Sequence, residues 1–173
     1  MNRRSLTVVH SEQGIETRVA ALARDIAHAP LKPDMAVAIL SGAFVFAADL
    51  LRALAREGLS LPLEFLWLRS YAEKREAGAI SVLVGPTEKI HARTVLLIDG
   101  VLDGGHTIQK AHALLHEAEA AAIITAVAVD KALDTAVAKS DHALFTGTRG
   151  FIVGYGMDDA GMDRGLPHIA RVD

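Results

Sequence analysis

The sequence predicts an α/β fold: a twisted, mainly parallel sheet flanked by helices. Three observations lead there. Short, continuously apolar runs such as Met35–Leu40 have the pattern of strands covered on both faces. These runs alternate with stretches of helical period, which implies right-handed crossovers between parallel strands. At 173 residues, 51% of them apolar, the chain is long enough to bury one core without a disulfide or metal staple.

The elements follow in chain order. Residues 12–29 read as a helix because Ile15, Val19, Leu22 and Ile26 recur three or four apart, with Ser11 placed as cap and Pro30 just beyond. Met35–Leu40 is a strand, residues 44–57 a helix with Gly58 where a C-cap belongs, and residues 63–68 a second strand. Residues 72–93 change character: a charge cluster at 73–76, then Gly78, Gly85 and Pro86, with only Ile80–Val84 strand-like. This predicts an excursion from the sheet with its own short strand. Residues 95–98 form a buried strand, 107–119 a helix with Ile108, Ala111 and Leu115 on one face, and 122–129 a further strand. No repeat or linker divides the chain, so residues 1–173 are expected to form a single domain.

Composition excludes several classes of function. The absence of cysteine removes thiolate zinc sites, thiol nucleophiles and disulfide chemistry. A net charge of −3 gives no global pull towards nucleic acid. Residues 35–48, uncharged but interrupted by Ser41-Gly42, fall short of the ~20 needed to span a membrane. The N-terminus lacks the ~7–15-residue apolar core of a secretory signal. A cytoplasmic location is therefore expected, with neither a nucleic-acid nor a membrane partner.

Residues 95–107, VLLIDGVLDGGHT, carry the chemistry. An apolar strand runs into Asp99 and Asp103, then Gly104, Gly105, His106 and Thr107 at the start of a helix. The two glycines let the backbone approach a ligand closely. The N–H groups of 104–107, with the helix N-terminus behind them, make an anion cradle suited to phosphate, and Thr107 adds a hydroxyl. Two aspartates beside a phosphate make sense if one meets a cation or ribose hydroxyls and the other handles a proton. Two other readings stay open: a plain turn in which Asp103 caps the helix, and a P-loop. Gly100-x4-Gly105-His106-Thr107 has Walker A spacing and Asp130 could serve as its second acid, although histidine stands where that motif needs lysine.

Residues 99–107 also resemble the phosphoribosyl pyrophosphate signature of the type I phosphoribosyltransferases, and further blocks are similar to the hypoxanthine-guanine branch. These are residues 40–50 (LSGAFVFAADL), Ser70-Tyr71, Val129-Asp130-Lys131, residues 151–158 (FIVGYGMD), Arg164, and Leu166-Pro167-His168, all in family order. The resemblance implies a Mg²⁺-dependent purine-salvage enzyme that joins hypoxanthine or guanine to phosphoribosyl pyrophosphate, giving the nucleotide and pyrophosphate. It also implies a homodimer or homotetramer. Its implied roles are Asp103 as catalytic base, Asp99 and residues 103–107 on the phosphoribosyl group, and Leu40, Ser41, Gly42 and Arg164 on pyrophosphate. Lys131, Phe151, Ile152 and Asp158 would bind the purine, and Asp99 and Asp158 the metal. Lys131, donor only, suits the O6 acceptor of a 6-oxopurine. Ser70 and Tyr71 would open a lid at about 70–93, a small C-terminal hood would span about 145–173, and Leu40–Ser41 would be a cis peptide.

The family's second acid is Gly100 here, its frequent first-loop lysine is Ser41, and its cradle lysine is His106. These departures leave open a binding or regulatory relative without turnover. Lys131 could instead point to solvent and Phe151 could be core. His112 and His116, four apart on a helix, read as a solvated face.

Overall fold

A computed structural model describes residues 5–70 and 80–173. The elements are β1 (Leu6–His10), α1 (Glu12–His28), β2 (Met35–Leu40), α2 (Phe44–Arg56), β3 (Leu63–Ser70), β4 (Ile80–Val84) and β5 (Thr94–Leu102). They continue with α3 (His106–Glu117), β6 (Ala122–Asp130), β7 (His142–Thr146), β8 (Ile152–Val153) and β9 (Ile169–Val172). Six strands form one sheet in the order β4-β3-β2-β5-β6-β7, parallel except at the β3–β4 edge.

Alternation along the central strands sets the two layers. Ala36 and Ala38 of β2 lie under α1 and α2, where small side chains leave room for Phe46, Leu50 and Leu54. Met35, Val37 and Ile39 face the other way and pack with Ile108, Ala111 and Leu115 of α3. Ser11 caps α1 as expected, its hydroxyl accepting from the Gly14 N–H at 3.2 Å.

Two local expectations change. The strand expected at 95–98 continues to Leu102, because β6 pairs with it from Thr94↔Ala122 to Leu102↔Asp130. The ladder includes Asp99 and resumes at Val101 beyond Gly100, whose N–H donates to the Asp99 carboxylate; residue preference alone reads this stretch as a loop. Residues 142–146, not singled out from the sequence, form β7 at the sheet edge.

The hood is a three-stranded antiparallel sheet, β1-β9-β8, so the N-terminal strand is built into it. Two side-chain links tie it down. The His10 ring stacks on Phe145 of β7 at 3.7 Å, with Nε2 2.8 Å from the Thr148 hydroxyl. The Tyr155 hydroxyl donates to Asp49 of α2 at 2.8 Å. Among the described residues, no helix is long and apolar enough to cross a membrane.

Candidate functional site

The carboxyl ends of β2, β3 and β5 open into a cleft of about 630 Å³, roofed by the hood. This is where ligands bind in parallel α/β sheets. Leu40, Ser41, Gly42, Asp99, Thr107, Phe151, Ile152, Asp158 and Arg164 all line it. A second hollow of about 280 Å³ adjoins it, formed by residues 103–108 with Val101 and Ile80. Thr107 and Val101 face both spaces.

The turn after β5 is made by Asp103, Gly104 and Gly105. Gly105 is the N-cap residue of α3 at φ +82°, and a Cβ there would lie 2.7 Å from the Ala138 N. Gly104 has no such constraint; its added Cβ would meet only the His106 ring, at 3.4 Å. Of the two glycines, only Gly105 takes a positive φ. Gly105→Ala is expected to cost about 1–3 kcal/mol of folding stability, and Gly104→Ala far less, compared by urea denaturation of the two variants.

Asp103 does not cap α3: the helix has no side-chain cap, and the carboxylate accepts from Lys131 Nζ at 2.6 Å. Lys131 follows β6 directly, and its N–H donates to the Leu102 carbonyl at 2.9 Å. Its side chain is only 13% exposed and turns onto Asp103 rather than to solvent, although it lines neither hollow. The P-loop reading also fails here, since Gly100, Val101 and Leu102 are strand residues rather than a phosphate-wrapping loop.

Asp99 is almost fully buried. Its Oδ1 accepts from the Gly100 N–H at 2.7 Å, yet burial outweighs that bond and pushes the carboxyl up to about 7. Asp158 and Arg164 pair at 2.7 Å; the second Asp158 oxygen accepts from the Gly161 N–H, and Arg164 also donates to the Gly156 carbonyl. Phe151, expected either in the core or at the ligand, is 53% exposed and faces the cleft.

The peptide between Leu40 and Ser41 is cis. The Gly42 carbonyl is enclosed by two glycines: a Cβ on Gly100 would come within 2.8 Å of it and one on Gly156 within 2.5 Å. The missing second acid therefore has a steric counterpart. With the β2–α2 turn seated this way, there is no room for a side chain at position 100.

Trp67 and Arg69 are among the cleft residues to which the sequence assigned no role. The alternation Phe65, Trp67, Arg69 was the available signal, but only register shows how far β3 outruns β2. Ser70 ends β3, with its side chain outside the described residues, as is Tyr71; the expected lid thus falls partly outside them. His112, expected on a solvated face with His116, is partly buried and shares a hydrogen bond with the Thr125 hydroxyl at 2.8 Å; only His116 is exposed. Among the described residues no group of three or more His, Asp or Glu could hold a metal by itself.

The chain is similar to known proteins in sequence and in fold. The phosphoribosyl transferase domain family matches residues 5–160. The hypoxanthine-guanine phosphoribosyltransferase of Aquifex aeolicus is 32% identical over 98% of this chain and 96% of its own. That of Dictyostelium discoideum is 31% identical over 97% and 96%. The hypoxanthine phosphoribosyltransferase of Trypanosoma cruzi, solved with its product IMP, superposes with a TM-score of 0.87 at 25% identity, covering 100% of this chain and 96% of that one.

Proposed function

The chain belongs to the phosphoribosyltransferase family, and on that premise we propose that it salvages purines, transferring the 5-phosphoribosyl group of phosphoribosyl pyrophosphate to hypoxanthine or guanine. The products are IMP or GMP and pyrophosphate. The observation that carries this reading is the Lys131–Asp103 pair, 2.6 Å apart at the rim of the glycine turn. It sets a donor for a purine oxygen beside an acceptor for a purine proton.

The chain's own groups divide the work. The N–H groups of residues 104–107, with His106 and the Thr107 hydroxyl, hold the 5-phosphate, and Asp99 faces the ribose hydroxyls. Fixing the sugar in this way supplies orientation. Phe151 presents a flat face to the purine, and Ile152 and Asp158 border the same pocket. Lys131 donates to O6 and disfavours the 6-amino group of adenine. As purine N9 bonds to the anomeric carbon, the bond from that carbon to pyrophosphate breaks and its electron pair leaves with pyrophosphate. The proton on N7 passes to Asp103. Leu40, Ser41, Gly42 and Arg164 receive the pyrophosphate, and a lid at about 70–93, opened by Ser70 and Tyr71, excludes water.

The donor set suits Mg²⁺. Asp99 is the one carboxylate among the described residues that is nearly buried, it has no cationic partner, and it shares the cleft with Asp158. Asp99 and Asp158 would hold the ion, which when bound neutralises charge on the leaving pyrophosphate. The reading takes residues 1–173 as one domain in a cytoplasmic homodimer or homotetramer.

A spectrophotometric assay of each purine base with phosphoribosyl pyrophosphate and Mg²⁺ tests the proposal. Formation of IMP or GMP supports it. Binding without turnover favours a regulatory relative, and base-independent ATP hydrolysis would overturn it. In the same assay Lys131→Ala is expected to raise KM for hypoxanthine about 10–100-fold, the loss of one charged donor. Unchanged kinetics would remove the O6 contact from the scheme.

A further inference from the structure

Among the described residues, four charged side chains line the main cleft: Arg69, Asp99, Asp158 and Arg164. Three are engaged. Asp99 accepts from Gly100, while Asp158 and Arg164 hold each other, with Arg164 held again by the Gly156 carbonyl. Arg69 alone has no hydrogen-bond or ion-pair partner among the described residues.

Its place follows from strand register. Leu40, the last residue of β2, pairs with Trp67, so Leu68 and Arg69 run on beyond the end of β2. Arg69 thus flanks the Ser41-Gly42 turn, which brings no charge of its own. Alternation sets it on the face of Phe65 and Trp67, opposite the buried Leu66 and Leu68. Pairing of Arg69 with Ser81 of β4 holds its backbone in regular sheet.

The charges then separate by task. Arg164 can meet an anion only in competition with Asp158. Arg69 presents a planar guanidinium donor fork that matches phosphate oxygens, and in turning onto an anion it breaks no bond to another described residue. We propose that Arg69 binds the diphosphate of phosphoribosyl pyrophosphate, and of the pyrophosphate released, as the one cleft cation among the described residues without a partner. This assignment deepens the purine-salvage reading and rests on it.

Arg69→Met and Arg69→Lys test it. The methionine variant is expected to raise KM for phosphoribosyl pyrophosphate about tenfold, the size of one charge-assisted contact, with KM for hypoxanthine within about twofold. Lysine should recover part of the loss, which a packing role would not show. Equal rises in both KM values, or no rise for phosphoribosyl pyrophosphate, overturn the assignment. Calorimetric titration of both proteins with magnesium pyrophosphate separates this from the broader reading. If the unsubstituted protein turns over no base, the salvage reading fails. The arginine assignment is then decided by whether methionine weakens pyrophosphate binding about tenfold, the same single contact, or leaves it unchanged.

Discussion

Asp103→Asn is expected to lower kcat for hypoxanthine by about 10²–10⁴, the range of a lost general base. Asparagine keeps the size and hydrogen-bonding capacity of the side chain but cannot accept the N7 proton. It also leaves Lys131 without a carboxylate. A structural explanation for such a loss is weak: the Asp103 side chain is 55% exposed and does not cap α3. Its ion pair should contribute no more than about 1 kcal/mol at that exposure, so the variant should fold normally. KM for phosphoribosyl pyrophosphate should change little, because the cradle is mostly backbone. A kcat within threefold of the unsubstituted protein would leave Asp103 a rim residue and remove the proton step from the scheme.

Asp99→Asn is expected to make the ligand-free protein more stable while impairing it. The carboxyl titrates near 7 in the folded chain against an ordinary value of 3.8, because burial disfavours its charge. A folded-state value above the unfolded one means that ionisation costs stability. The cost is absent below about pH 4, grows as pH rises towards 7 and is complete above it. In full it corresponds to about 4 kcal/mol. Asparagine carries no charge and keeps an oxygen for the Gly100 N–H, so it removes most of that cost. Urea denaturation should show a gain of about 1–3 kcal/mol at pH 8, after the expense of burying an amide, and a smaller gain at pH 5. The same variant should lose at least tenfold in kcat/KM for phosphoribosyl pyrophosphate, the scale of a lost charge-assisted contact. A gain equal at both pH values would contradict the account of Asp99 as a carboxylate retained for function against its folding cost.

The parts of the fold legible in the sequence were those set by local pattern. Apolar runs marked β2 and β6, a three-to-four spacing marked α1, and Ser11 marked its start. The glycine turn was legible because a strand, a tight turn and a helix must follow one another in chain order. What was not legible depends on residues distant in sequence. The extension of β5 through Asp99 and Gly100 is decided by β6, and the reach of Arg69 by the register of β3 on β2. Gly100 illustrates the difference. Taken alone it is a missing acid; in the fold it is the surface against which Gly42 rests. Tyr155 had no visible partner in the sequence because Asp49 lies 106 positions away.

The most direct test of the central claim is a crystal structure of the protein with IMP. The account predicts the 5-phosphate on the N–H groups of residues 104–107, the purine against Phe151, and O6 within hydrogen-bonding distance of Lys131 Nζ. A phosphate bound elsewhere, or a purine turned away from Lys131 and Asp103, would contradict it.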